Sequence, residues 1–80
     1  MTIVKRFGKD YSRNMINYKP FWETLKKKGV STYALINQHG ISSATIDRMR
    51  KGMGISTTKI DDFCKILDCR VEDIIEYTNN

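Results

Sequence analysis

The sequence is poor in the residues on which many catalytic and metal sites depend. Its 80 residues contain one histidine, His39, and two cysteines, Cys64 and Cys69. The cysteines stand five positions apart with no histidine beside them, which fits neither a zinc-ligand pair nor a CxxC redox pair. We therefore interpret both as small apolar core residues. Phosphate-binding and dinucleotide-binding glycine motifs are also missing, and no nucleophile has a base near it. The sequence thus predicts no enzyme, no cofactor, no metal and no small-molecule ligand.

Long apolar runs are absent as well. No stretch approaches the roughly 20 apolar residues that a membrane-spanning helix needs, and the N-terminus lacks the apolar run of a signal peptide. We therefore expect a cytoplasmic protein with no membrane partner. Proline occurs once, while 40% of the residues are hydrophobic and 29% are charged. That balance is typical of a folded chain, and the length fits one domain with a small core.

Acidic residues are outnumbered by basic ones. The 14 lysines and arginines against 9 acidic residues give a net charge of +5, which suits a polyanionic partner without identifying one. Residues 1–14 carry +3 of this excess and have no helical or alternating pattern. We expect them to precede a domain spanning residues 15–80. They are either a basic arm that follows a DNA backbone, a disordered leader, or an extension upstream of an original start at Met15.

The remaining sequence has the spacing of short amphipathic helices. Five segments place apolar residues three or four positions apart, most of them after a capping serine or threonine or a proline. The predicted helices begin near Pro20, at Ser31 or Thr32, at Ser42, at Ser56 or Thr57, and in the closing segment VEDIIEY. No segment has the strict alternation of a strand. The sequence therefore predicts an all-α domain of five short helices.

A tight turn joins the second and third predicted helices. Gly40 permits a positive φ, Ile41 supplies one apolar residue to anchor the turn, and Ser42 can cap the next helix. A three- or four-residue turn that contains glycine sets two helices near a right angle, so that the second can enter a DNA major groove. This pattern predicts a helix-turn-helix.

The stretch from Ser31 to Ile75 resembles the Cro/C1-type (XRE-like) helix-turn-helix family of transcriptional regulators. The resemblance rests on STYALINQHGISSATIDRMRKG, TTKIDDFCKILDC and VEDIIEY, which are similar to the family's second and third helices, its fourth helix and its closing helix. The sequence departs from the family pattern at Thr32, usually glutamine, at Ile36, usually alanine, and at Arg50, commonly acidic. The resemblance implies a lambda-repressor-like fold and a bacterial, phage or mobile-element origin.

The resemblance also implies which residues meet double-stranded DNA. A recognition helix at about residues 42–51 would turn four side chains to the base edges, namely Ser43, Ala44, Asp47 and Arg48. Arginine can pair with guanine O6 and N7, and an alanine can meet a thymine methyl. Asp47 either accepts a hydrogen bond from cytosine or stays solvated and pairs with Arg50 or Lys51. The implied phosphate contacts are Thr32, Tyr33, Ser42, Thr45, Lys51, Thr57, Thr58 and Lys59.

Two hypotheses of function follow. The first is a sequence-specific DNA-binding regulator that represses by occluding a promoter. Such a domain commonly works as a homodimer on paired half-sites, and the candidate interface is the apolar closing segment, with Val71, Ile74, Ile75 and Tyr77. The second is a protein-interaction module, such as an adaptor, antirepressor or antitoxin-like protein, that keeps the fold without specific DNA binding. In that case the basic side of the third helix is only a solvated surface.

Overall fold

A computed structural model of the protein describes residues 14–79. These residues form four α-helices, namely α1 (Lys19–Lys28), α2 (Thr32–His39), α3 (Ser43–Arg50) and α4 (Thr57–Leu67). A 3-10 helix follows at Val71–Asp73, and two short strands, β1 (Asn14–Asn17) and β2 (Glu76–Asn79), pair antiparallel. The mainly helical fold class is confirmed, with the first four helices where the sequence predicts them.

Serine caps begin the three central helices. The Oγ atoms of Ser31, Ser42 and Ser56 accept hydrogen bonds from backbone N–H groups in the first turns of α2, α3 and α4, at 3.0, 3.1 and 3.2 Å. Each bond satisfies an amide donor that the first turn of a helix leaves without a partner. The caps therefore do not use the hydroxyls of Thr32 and Thr57, the alternative capping residues.

The turn between α2 and α3 has the geometry that its sequence predicts. Gly40 ends α2 with a φ of 72°, a left-handed conformation that residues with a Cβ rarely adopt. The next residue, Ile41, donates its N–H to the Leu35 carbonyl at 3.0 Å, and its side chain is buried. The buried isoleucine anchors the turn to the core and fixes where α3 begins.

The core lies between α1, α4 and the inner sides of α2 and α3. Its largest fully buried side chains are Phe21, Phe63, Leu35, Ile46, Met49 and Ile74. The rings of Phe21 and Phe63 lie 4.9 Å apart between centroids and join α1 to α4, while Trp22 meets Phe21 edge to face at 4.8 Å. Because α3 turns Ile46 and Met49 into this core, its opposite side faces solvent.

The predicted fifth helix is wrong. The segment makes only one 3-10 turn, whose Asp73 carbonyl accepts a hydrogen bond from the Thr24 hydroxyl of α1 at 2.7 Å. The chain then extends as β2, with Tyr77 opposite Ile16 of β1, and Asn17 Nδ2 donates to the Thr78 hydroxyl. β-Branched and aromatic residues favour an extended backbone once a partner strand is available. The prediction that the chain contains no strand is therefore also wrong.

The predicted N-terminal arm lies outside the described residues, except for Asn14, whose backbone begins β1. The proposed division of the chain into residues 1–14 and 15–80 stays a prediction.

Both cysteines are free thiols, half-buried and packed against the core. The Cys69 N–H donates to the Cys64 carbonyl at 3.1 Å just beyond the end of α4. Burial is the main cause that raises the pKa of each thiol, and it raises the pKa of Cys69 to about 11. Such thiols stay protonated near neutral pH and act as apolar packing groups, as their sequence pattern predicts.

We expect the free energy of unfolding to fall as the pH rises from about 9 to about 11. The Cys69 thiol loses its proton near its usual 9.0 in the unfolded chain but only near 11 in the fold. The fold therefore binds the proton more tightly, so this contribution is complete below pH 9 and is lost as the pH rises through 11. Urea denaturation at a series of pH values measures the slope. The Cys69→Ala variant should have a shallower slope, and an equal slope would contradict the assignment.

Candidate nucleic-acid interface

The solvent side of α3 carries the four side chains predicted to meet base edges. Ser43, Ala44, Asp47 and Arg48 are all exposed. Residues at these positions share one side of a helix because its period is 3.6 residues. The fold therefore presents the four side chains together, on a helix whose other side is locked into the core.

Arg48 also holds the loop that follows α3. Its Nε donates to the Gly54 carbonyl at 3.3 Å, and its own carbonyl accepts the Met53 N–H at 2.8 Å. The Tyr18 hydroxyl donates to the Met53 carbonyl at 2.7 Å. Among the described residues, no hydrogen bond or ion pair uses the terminal Nη atoms of Arg48. The guanidinium is thus oriented by its Nε while its Nη groups remain free to bind.

Tyr18 stays a donor over a wide pH range. Burial raises the pKa of its phenol, against smaller opposing effects of the Ile55 backbone and the Arg48 charge. The protonated hydroxyl therefore keeps its bond to the loop after α3. The sequence gives no local sign of this role of Tyr18, because its partner Met53 lies 35 positions away.

Asp47 pairs with Lys51 and not with Arg50. Its Oδ2 lies 3.2 Å from Lys51 Nζ, one helical turn further along α3. Both side chains are exposed, and exposed pairs of this spacing contribute only about 0.3–0.5 kcal/mol. The pair orders both side chains yet opens at little cost, so each remains available to a DNA partner.

Arg50 lies against α1 and α2. Its guanidinium carbon lies 5.8 Å from the centroid of the Trp22 ring, and its Nη2 donates to the Thr32 hydroxyl at 3.5 Å. The sequence offers Arg50 as a possible partner of Asp47 or, in the alternative interpretation, as part of a solvated basic face, and it does not predict this contact with Trp22. One feature of the sequence could have indicated the contact: Arg50 is basic where the family commonly has an acidic residue, in a chain that contains one tryptophan.

Seven of the eight predicted phosphate-contacting residues are exposed or half-buried. Tyr33 is 72% exposed at the start of α2, and the other six are Thr32, Ser42, Lys51, Thr57, Thr58 and Lys59. The prediction for Thr45 is corrected. Its side chain is only 8% exposed, because it lies on the same side of α3 as the core residue Met49, four positions later. It is not placed to meet a phosphate.

The candidate dimer residues divide into two groups. Val71 is 51% exposed, Tyr77 is also exposed, and Ile75 is half-buried at the edge of the core. Ile74 is 0% exposed, so its prediction as an interface residue is corrected: it is a core residue. The 3-10 turn points it inward, whereas a regular helix would have placed it beside Ile75.

Two further properties concern only residues 14–79. No helix there is long and apolar enough to cross a membrane. No cluster of three or more histidine, cysteine or acidic side chains is placed to hold a metal ion in that range.

Comparisons with known proteins agree with this geometry. No curated protein matches the sequence. The fold is similar to the crystal structure of the transcriptional regulator VanUg, with a TM-score of 0.75 and 25% identity over 84% of this chain and 89% of that one. The family model of the Cro/C1-type helix-turn-helix DNA-binding domain matches residues 21–80, which is most of the chain. The protein therefore belongs to the Cro/C1-type helix-turn-helix family, a class of DNA-binding domains and not of enzymes.

Proposed function

We propose that this protein is a transcriptional regulator that binds duplex DNA sequence-specifically, with α3 in the major groove. The observation that carries the proposal is α3 itself, an eight-residue helix capped by Ser42 and anchored by Ile46 and Met49. Such anchoring supports readout, because a base-contacting helix must keep one angle and depth in the groove. The likeness to a transcriptional regulator supports the same function.

Arg48 is the main base-reading residue in this proposal. Its Nε is held by the loop carbonyl, so its two Nη groups can approach guanine O6 and N7 without the whole side chain being ordered on binding. Ala44 offers a methyl group to thymine. Ser43 and Asp47 lie beside them, and Asp47 can accept from cytosine once its exposed pair with Lys51 opens.

Backbone phosphates position the helix on the duplex. All the proposed contacts except Lys51 lie at the starts of three helices, where free N–H groups favour anions. They are Thr32 and Tyr33 of α2, Ser42 and Lys51 at the two ends of α3, and Thr57, Thr58 and Lys59 of α4. Such contacts fix register and orientation without reading sequence.

The proposed mode is repression by a homodimer that occludes a promoter. One domain covers a single half-site, and two domains on half-sites about one helical turn apart gain affinity together. Val71, Ile75 and Tyr77 are the proposed interface, because they place apolar surface at the exposed end of the domain.

We expect selection from a randomised duplex library to enrich a paired motif. Titration of the selected duplex should then show that Arg48→Ala loses about 1–3 kcal/mol of discrimination at one base pair of each half-site. The salt dependence of the DNA affinity of Arg48→Ala should stay close to that of the native protein, because a base contact neutralises no phosphate. Arg70→Ala is the matched control, since Arg70 is paired with Glu72 away from α3.

The opposite result has a definite meaning. If no motif is enriched, or if Arg48→Ala and Arg70→Ala bind every duplex alike, α3 does not read bases. The protein-interaction module, with the basic side of α3 as a solvated surface, then becomes the favoured function.

A further inference from the structure

Arg50 connects three helices at a point that the base-reading surface does not include. It is the last residue of α3, its guanidinium lies over the Trp22 ring of α1, and its Nη2 reaches the hydroxyl of Thr32, the first residue of α2. We call Arg50, Trp22, Thr32 and the neighbouring Tyr33 the Arg50 cluster. None of these contacts depends on the cap of α2, which Ser31 makes.

The charge of Arg50 is not neutralised within the described part of the chain. The ion pairs found there are Lys51–Asp47, Lys65–Asp61 and Arg70–Glu72. Asp47 is the acidic residue nearest to Arg50 along α3, and it forms its ion pair with Lys51. The Arg50 cluster therefore presents a full positive charge, together with the hydroxyls of Thr32 and the exposed Tyr33.

The contacts within the cluster orient the guanidinium but leave most of its donors unused. A guanidinium has five N–H groups, and one of them makes a single long bond of 3.5 Å to Thr32. The cation–π contact with the Trp22 ring favours one orientation of the guanidinium. The Trp22 ring thus acts as a platform that holds the planar group at the start of α2.

We propose that the Arg50 cluster binds a backbone phosphate of the DNA, with Arg50 as the charged ligand and Thr32 as a hydroxyl donor. The inference rests on the proposed function, since DNA supplies the phosphate. Arginine suits this role because its fork pairs with two phosphate oxygens at once. One phosphate held by the end of α3 and the start of α2 fixes the angle at which α3 lies in the groove.

The alternative is that Arg50 only holds α3 against α1 and α2. The two roles differ in how binding depends on salt, because only a phosphate contact releases counterions. Each phosphate neutralised adds about 0.9 to the slope of log K against log salt. A contact within the protein adds nothing to that slope, whatever it contributes to stability.

The test uses the duplex selected with the native protein. The affinity for this duplex is measured over a salt series for four proteins: the native protein, Arg50→Gln, Arg50→Lys and Lys65→Gln. The last variant removes the same unit charge from an exposed ion pair on α4. We expect Arg50→Gln to lower the slope by about 0.9 and to weaken selected and unrelated duplexes by the same factor. Arg50→Lys should restore the slope, and Lys65→Gln should match the native protein.

A second signal comes from Trp22, the one tryptophan of the chain. Its fluorescence should change when native protein binds DNA, and the change should be smaller in Arg50→Gln. A native slope in Arg50→Gln, with the motif still selected, would overturn this inference and leave the proposed function intact. A lowered Tm with that unchanged slope would assign Arg50 to helix packing alone. Absence of a motif for the native protein would overturn both.

Discussion

Replacing Phe63 with alanine is expected to lower the free energy of unfolding by about 3–5 kcal/mol. The Phe63 ring is 0% exposed, and its contact with Phe21 joins α4 to α1. The loss combines the transfer of apolar surface with a cavity that helices on both sides can fill only in part. A small domain has a total free energy of unfolding of about 5–15 kcal/mol, so this substitution should remove a large part of the stability of the domain.

Urea denaturation followed by circular dichroism measures the loss. Phe63→Leu is the matched control, because it keeps most of the apolar volume and should lose much less stability. A loss below about 1 kcal/mol for Phe63→Ala would show that this ring is not a central core residue. The DNA affinity of Phe63→Ala should fall only in proportion to its folded fraction, since Phe63 is fully buried and cannot contact DNA itself.

Local signals made the helix-turn-helix predictable from the sequence. The serine caps, Gly40 and the three-four spacing of Ile46 and Met49 each act over a few residues, so their effect can be read without the fold. These signals placed the first four helices and the exposed side of α3. The same spacing also predicts that Thr45, four positions before Met49, shares the core side. Its assignment as a phosphate contact went against that signal.

The closing segment could not be predicted in this way. The residues of VEDIIEY have helical spacing, but their β-branched and aromatic side chains suit a strand equally well. Two long-range contacts favour the strand over the helix. The first is the pairing with β1, some 60 positions earlier, which sets Ile16 opposite Tyr77, and the second is the hydrogen bond from the Thr24 hydroxyl to the Asp73 carbonyl. The cation–π contact of Arg50 with Trp22 is non-local in the same sense. Such pairings depend on how the elements pack and not on local sequence.

The change from helix to strand determines what Ile74 does. In the predicted fifth helix, Ile74 and Ile75 would share an outward face with Val71. In the structure the 3-10 turn ends at Asp73, and Ile74 enters the core while Val71 remains exposed. One residue of the predicted interface, Ile74, therefore supports the fold of the domain, and only its exposed neighbours remain candidates for the proposed homodimer contact.

We expect Ile74→Ala to lower the free energy of unfolding by about 2–5 kcal/mol, with the same loss at every protein concentration. A core residue acts within one subunit, whereas a residue that acted only between subunits would make the loss depend on concentration. Denaturation at two concentrations a hundredfold apart distinguishes these cases.

Val71→Ala is the contrasting variant, because it also shortens an apolar side chain of the closing segment but at an exposed position. We expect it to change monomer stability by no more than about 0.5 kcal/mol and, if the proposed homodimer forms, to weaken association in sedimentation. Equal, concentration-dependent losses for Ile74→Ala and Val71→Ala would place both residues at a subunit interface and contradict the division between them. A large, concentration-independent loss for Ile74→Ala alone would establish that the fold of the domain depends on the closing segment, and would leave only its exposed residues available to the proposed homodimer contact.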